Sequence, residues 1–537
     1  MNLLAAATLA PVDYAIVAVY LLATFAIGFW SARKTKAKEF FVAEKSLPWW
    51  VIGLTMVAAS ISAEQMLGEV GYAADAGLVV SNWDLAVFPS LALMVLVFLP
   101  VFLRSGITTI PEYLEKRFGK STRLLFAGYT VFNNACVALV MVLALGATAL
   151  KYFLGLPPFW GVLALIAFTG VYTVYGGMSS VAWTDTFQCA LLLVGGLIVF
   201  GVGLANVPDG WSGLLQRMPA PHLIRSVNDP YVPWPGLVLL ALSTNVWYCC
   251  TNQFYVQACL GARNEWHGRM GVLLTAFLGP VLTLCFAFPG YIAHDLVQQK
   301  LLPAIDDANA VYPVLIEKLL GPGLRGFLVA AVLAAIMSTV SSIVNATASV
   351  FTIDIYQRLL RPAASDRQLV RMGRWAGGVS LLIALPLTFL ALRYRYIFTY
   401  TQNAWCILAI PIMVVFTAGL LWKRATAAAA TATFLFVLPF VAVPFIFGNT
   451  EDSWLKFAFS GGRIHLFNFA FLLWLAAAAF MVLASALTTP RDHASLAPFL
   501  WNLRVMRGEN SRPLFLRVGF WCVLAGGMYT VIYLRFW

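Results

Sequence analysis

The chain is a succession of long apolar runs set apart by short polar or basic loops. A helix needs roughly 20 apolar residues to cross the hydrocarbon of a bilayer. Runs of that kind recur near 12–31, 48–72, 80–104, 122–150, 157–175, 180–205, 234–258, 267–296, 324–351, 370–392, 397–421, 425–447, 464–487 and 515–534. No soluble core of 537 residues could hide them, since 61% of the chain is hydrophobic and 11% charged. The expected fold class is an all-α membrane protein with about 14 transmembrane helices. The first run has no basic region ahead of it and no small-residue cleavage site, so it reads as a retained helix.

The net charge of +12 does not indicate a nucleic-acid partner, because the basic residues form no patch or stripe. They follow topology instead. With the first terminus outside, the inside loops hold about 23 of the 35 Lys and Arg and the outside loops about 11. Both termini are then expected on the extracellular or periplasmic face of a plasma or inner membrane. The segment IPEYLEKRF (110–118) reads as a short interfacial helix on the inner side. The 8 cysteines make no CxxC pair and the 5 histidines no HExxH, so zinc sites and disulfide frameworks are unsupported. There is no GxxxxGK[ST] and no loop long enough for a nucleotide-binding or signalling domain. A nucleophile–base constellation is also missing, so an enzyme is not expected.

Polar residues inside the apolar runs carry the functional information, because each is costly unless it is paired or lines a cavity. VAASISAEQMLGE (57–69) sets small residues beside Glu64 and Gln65 in the second run. That composition suits either a packed interface or an interrupted helix whose free carbonyls could coordinate Na⁺. ALSTNVWYCCTNQFYVQ (241–257) repeats the pattern in the seventh run. Interrupted segments at matching places in two halves point to a solute site at the midplane. In AAIMSTVSSIVNATAS (334–349), Ser338, Ser341, Ser342, Asn345 and Ser349 fall on one helical face. The stripe suits a hard cation, or hydroxyls bonded back to their own helix. Asp185, in TDTFQ (184–188), opens the sixth run either as a counter-charge or as a helix cap. No Lys or Arg occupies the middle of a run, so the site around Glu64, Asp84 and Asp185 should attract a cation and tolerate a neutral co-substrate.

Taken together, EFFVAEKSLPWWVIGLTMVAASISAEQMLG, ITTIPEYLEKRF, VYTVYGGMSSVAWTDTFQ, NQFYVQACLGAR and GLRGFLVAAVLAAIMSTVSSIVNATASVFTIDIY resemble the sodium/solute symporter family, in particular its sodium–sugar cotransporter branch. The resemblance runs over about residues 10–425. It implies a 5+5 inverted-repeat core. Residues 1–47 would be an extra helix with a basic loop, 48–233 and 234–424 the two repeats, and 425–537 three additional helices. It implies Na⁺ as the coupling ion, held by the carbonyls of Ala58, Ile61 and Ala335 and the hydroxyls of Ser338 and Thr339. Asp185, Ser341 and Ser342 match a second sodium site found in some members. Ser60, Gln65, Asp84, Asn245, Tyr248 and Gln402 match solute-binding positions, with Tyr248 as the stacking aromatic on the inner side.

The chain also departs from the family pattern. Ser60 stands where Asn is usual, Asp84 where Glu is usual, Gly279 where sugar carriers often have Lys, and Ala258 where VQR has Arg. The expected function is sodium-coupled import of a small neutral polar solute, a sugar or a polyol such as inositol, by alternating access. A sensor or channel on the same scaffold is the reading of a different class. The expected partners are that solute, sodium and the lipid bilayer; the sequence leaves the oligomeric state open.

Overall fold

The structure, a computed structural model, describes residues 9–31, 37–218, 221–392, 397–442, 454–456, 463–492, 496–502 and 513–537. The basic stretches at 32–36 and 503–512, which entered the charge reading, lie outside the described residues. Among the described residues ten helices are long and apolar enough to cross a bilayer, accompanied by two shorter apolar helices, Trp49–Ser60 and Ala427–Phe440. A two-stranded antiparallel pair, Trp454–Lys456 with Arg463–His465, forms the one ladder described.

The helices that position the site are α1 (Pro11–Ser31), α2 (Trp49–Ser60), α3 (64–76), α4 (82–104), α5 (Ile110–Arg117), α6 (Lys120–Leu154), α7 (Pro158–Ala205), α8 (234–251) and α9 (Gln253–Leu260). They continue as α10 (Glu265–Cys285), α11 (Leu324–Val350), α12 (Asp366–Ala391), α13 (Ile397–Leu421), α14 (Leu466–Ala486) and α15 (Val518–Arg535).

At 48 residues α7 is about 72 Å long, more than twice the hydrocarbon thickness, so it is two spans laid end to end. The sequence divides it at the same place, near 175–180. The join is the single residue Gly177, with φ 65 and ψ −164. A side chain is strained in that conformation, and Phe40 leaves no room for one, 2.7 Å from where a Cβ would stand.

α11 is the centre of the molecule: 94% of its most apolar window is buried, against 28% for α1 and α12 and 22% for α15. The outer helices turn Leu22, Trp30, Trp375, Leu382, Val523 and Leu534 outward, where acyl chains are the solvent. Both ends of α11 are tied to other segments. At its N-terminus the Asp13 carboxylate accepts from the amides of Gly323 (2.7 Å) and Gly326 (2.8 Å), groups that no helix can satisfy by itself. Past its C-terminus the helix continues, π-wound, through 351–360. There Asp354 accepts from Arg123 (2.7 Å) and Thr109 (2.9 Å), while Glu115 of α5 bridges Arg123 and Arg358. Burial alone would raise the Glu115 carboxyl; hydrogen bonds from Arg358 and Arg123 outweigh it and hold the group below its usual range.

Candidate functional site

The second apolar run is interrupted at mid-depth. α2 ends at Ser60, Ile61 is extended (φ −96, ψ 122), and α3 resumes at Glu64 with a π-wound turn. Side chains hold the break open. The Ser62 amide, which would otherwise close a helical bond on Ala58, donates to Gln65 Oε1 at 2.8 Å. The Ser60 hydroxyl donates to Val57 O at 2.8 Å. The Ala58 carbonyl is thereby released from its own helix.

The released carbonyl meets α11. Ser338 Oγ lies 2.9 Å from Ala58 O and 3.0 Å from Ala335 O. Thr339 Oγ1 lies 2.9 Å from Ile61 O and 3.1 Å from Ala335 O. Two hydroxyl hydrogens therefore serve four close oxygen contacts, and the remaining contacts set lone pairs against lone pairs. Five neutral oxygens converge here, and carbonyl and hydroxyl oxygens are the donor type that a hard cation takes. The five residues named from the sequence are thus brought into one cluster.

One turn along α11, Ser342 donates to Asp185 Oδ2 at 2.9 Å and Ser341 approaches Oδ1 at 3.3 Å. Ser341 Oγ also lies 2.8 Å from Ser338 O, joining the two clusters. Asp185 is fully buried and sits eight residues past the Gly177 bend, inside α7. It caps no helix start, which removes that alternative. No Lys or Arg pairs with it among the described ion pairs, and a buried carboxylate left so is unstable unless a cation or proton joins it.

Beside the break lies a cavity of about 90 Å³, walled by α2, α3, α4, α8, α10, α13 and α15. All six solute positions named from the sequence line it: Ser60, Gln65, Asp84, Asn245, Tyr248 and Gln402. Gln402 donates to Glu64 at 2.5 Å, tying α13 to α3. Asn245 Nδ2 is buried with no hydrogen-bond partner among the described residues, whereas the Asp84 carboxyl is hydrogen-bonded to Glu69 and Thr283. Such an orphan is expensive unless a ligand completes it. Tyr248 packs against Tyr255 (5.1 Å between ring centres), Phe254 (5.5 Å) and Trp405 (6.1 Å). Among the described residues the lining contains no Lys or Arg.

Several lining residues escape the sequence reading: Trp83, Thr244, Trp405 and Tyr529. Trp247 and Trp405 meet across helices at 5.7 Å, a pairing that no local pattern announces. Of the departures from the family pattern, Gly279 lines the cavity, whereas Ala258 is buried in α9 away from it.

The sequence profile of the sodium:solute symporter family matches residues 40–436. A sodium/glucose cotransporter from Vibrio parahaemolyticus is 32% identical over 457 residues, covering 80% of this chain and 84% of that one. The chain belongs to the sodium:solute symporter family. Sodium/myo-inositol cotransporter 2 from Sus scrofa is 31% identical, over 78% of this symporter and 67% of that chain. In fold, the symporter is similar to a Na⁺-coupled sialic acid symporter (TM-score 0.78, 21% identity, 90% of this chain and 99% of that one). It thus has the inverted-repeat architecture of membrane transporters, sits in a membrane and uses sodium as its coupling ion.

Proposed function

We propose that this symporter imports a neutral polyhydroxylated solute, in first place a hexose, together with two sodium ions per cycle. One observation carries the reading: Gln65 both lines the solute cavity and holds the Ser62 amide that keeps Ala58 O free for the ion. Sodium in the Ala58–Ile61–Ala335–Ser338–Thr339 cluster therefore fixes a wall of the solute site. A solute contact on Gln65 in turn supports the ion cluster, and this reciprocity is what coupling requires. Asp185 with Ser341 and Ser342 would take the second ion. Hydroxyl donors on the solute would satisfy Glu64 and Asp84, and Asn245 and Gln402 would complete the polar set. A lining without fixed cations favours a neutral solute over an anion.

In the proposed cycle sodium binds from outside and bridges α2 to α11. The solute follows and is enclosed by Tyr248 and Trp405, and the repeats then rock to open inward. The basic loops face the cytoplasm and both termini face outward. The membrane potential adds roughly 2.3 kcal/mol per charge per 100 mV, so two ions concentrate a neutral solute far more steeply than one. The cycle involves no covalent chemistry.

The test is uptake of radiolabelled D-glucose and myo-inositol into proteoliposomes, with an inward sodium gradient and with potassium in its place. Sodium-dependent accumulation of glucose above myo-inositol is expected. Preference for myo-inositol selects the cyclic polyol, a reading favoured by the likeness to the myo-inositol cotransporter. Accumulation of neither, or equal uptake in potassium, ends the proposal.

A further inference from the structure

The cavity has one wall from outside the two repeats. Tyr529, on α15, is 3% exposed and lines the cavity with Gly279, Asp84 and Leu282. Its ring stacks on Phe88 of α4, with centres 4.6 Å apart and planes 18° apart. Its hydroxyl donates to Ala276 O of α10 at 2.8 Å. The helix that carries it is fixed: Tyr533 donates to Asn82 Oδ1 at 2.8 Å, and the Leu223 amide donates to Phe536 O at 2.8 Å.

Gly279 shows what this placement requires. A Cβ there would stand 2.1 Å from the Tyr529 hydroxyl oxygen and 3.3 Å from Asp84 O. No side chain fits while the phenol is in place. The last helix thus supplies, across a sequence distance of 250 residues, the group that lines the cavity at this point of α10.

We propose that Tyr529 is a specificity-determining residue of the solute cavity, admitted by the absence of a side chain at Gly279. This rests on the solute reading above and names part of how it is achieved. With its hydrogen committed to Ala276 O, the phenol offers the cavity lone pairs alone. Asp84, whose carboxyl is hydrogen-bonded to Glu69 and Thr283, lines the same side of the cavity. A phenol acceptor of this kind selects a solute that presents a hydroxyl donor there. It disfavours the deoxy analogue, which leaves the acceptor unmet.

The experiment uses the full chain in proteoliposomes. The probe is whichever of D-glucose and myo-inositol the wild type accumulates, with a series of its monodeoxy analogues as competitors. Tyr529→Phe keeps the ring and its stacking and removes the hydroxyl. It is expected to raise the solute KM about 3- to 10-fold, the size of one hydrogen bond, with half-saturating sodium at saturating solute unchanged. The wild type should discriminate against one monodeoxy position that Tyr529→Phe no longer distinguishes. Gly279→Ala should also raise KM by displacing the phenol, and the double variant should be no worse than Tyr529→Phe, because the two changes act on one contact.

Wild-type KM and analogue ranking in Tyr529→Phe, or additive effects in the double variant, overturn the proposal. So does a lowered thermal midpoint in detergent with the ranking intact, which marks Tyr529 as packing alone. Where Tyr529→Phe gives no folded protein, Gly279→Ala reads the same ranking with the phenol still present. A wild type that accumulates neither probe removes the solute reading itself, whereas a transporting wild type matched by Tyr529→Phe removes this inference only.

Discussion

The helices α2–α3 and α8–α9 are broken by the same backbone device and use it differently. Ile61 (φ −96, ψ 122) and Asn252 (φ −76, ψ 120) each insert one extended residue, and π-wound turns adjoin both breaks. At Asn252 the backbone repairs itself. Its amide and the Thr251 hydroxyl both donate to Trp247 O at 2.9 Å, and its carbonyl accepts from Tyr255 and Val256 at 3.2 and 3.0 Å. At Ile61 the repair is diverted, because Gln65 takes the Ser62 amide and the freed carbonyls turn to Ser338 and Thr339. The first break therefore offers backbone oxygens, and the second offers side chains, Asn245 and Tyr248 among them. The two breaks thus differ in what holds the displaced amide, Gln65 at the first and the preceding helical turn at the second.

The largest effect should come from the partner of the first break. Ser338→Ala removes one of five oxygens and is expected to raise half-saturating sodium by more than about 10-fold; an unchanged sodium profile would falsify the ion assignment. Asp185→Asn should abolish any sigmoidal sodium dependence and lower the steady accumulation ratio while uptake continues, and a retained two-ion profile in flux or current measurements removes the second site. Gln65→Ala should weaken sodium and solute together, by about 10-fold or less each. A solute effect alone would mean that the side chain does not hold the break. Asn252→Ala should shift half-saturating sodium by less than about 3-fold, since that break satisfies its own backbone, and a shift like that of Ser338→Ala would erase the contrast.

The smallest effect concerns the far end of the ion helix. Glu115 has its carboxyl lowered in the fold, so it adds stability above the unfolded value of about 4.3 and loses it as pH falls through the folded value. Thermal midpoints in detergent should drop for the wild type below about pH 4.5, with that component absent in Glu115→Gln. The partly exposed pair limits its size.

How much of this is legible in the chain depends on sequence distance. The spans, the hydroxyl face of α11 and the polar insertions in α2–α3 and α8 are local periodicities, and lipid makes each exception visible. That Ser62 bonds Gln65 is also local, but the sequence alone leaves the packed-helix reading open. Trp405, Tyr529 and the Arg123–Glu115–Asp354 group are settled by helix packing between distant segments. A Tyr in a span rich in Trp and Tyr looks like an interfacial anchor. Only its meeting with Gly279 gives it a role, and α15 lies beyond the matched residues 40–436.

Asp13 has a mechanical consequence. By gripping the first turn of α11 from the start of α1, its carboxylate pins the two helices to each other in height. Sliding α11 along the membrane normal would strip two amides of their acceptor in a buried place.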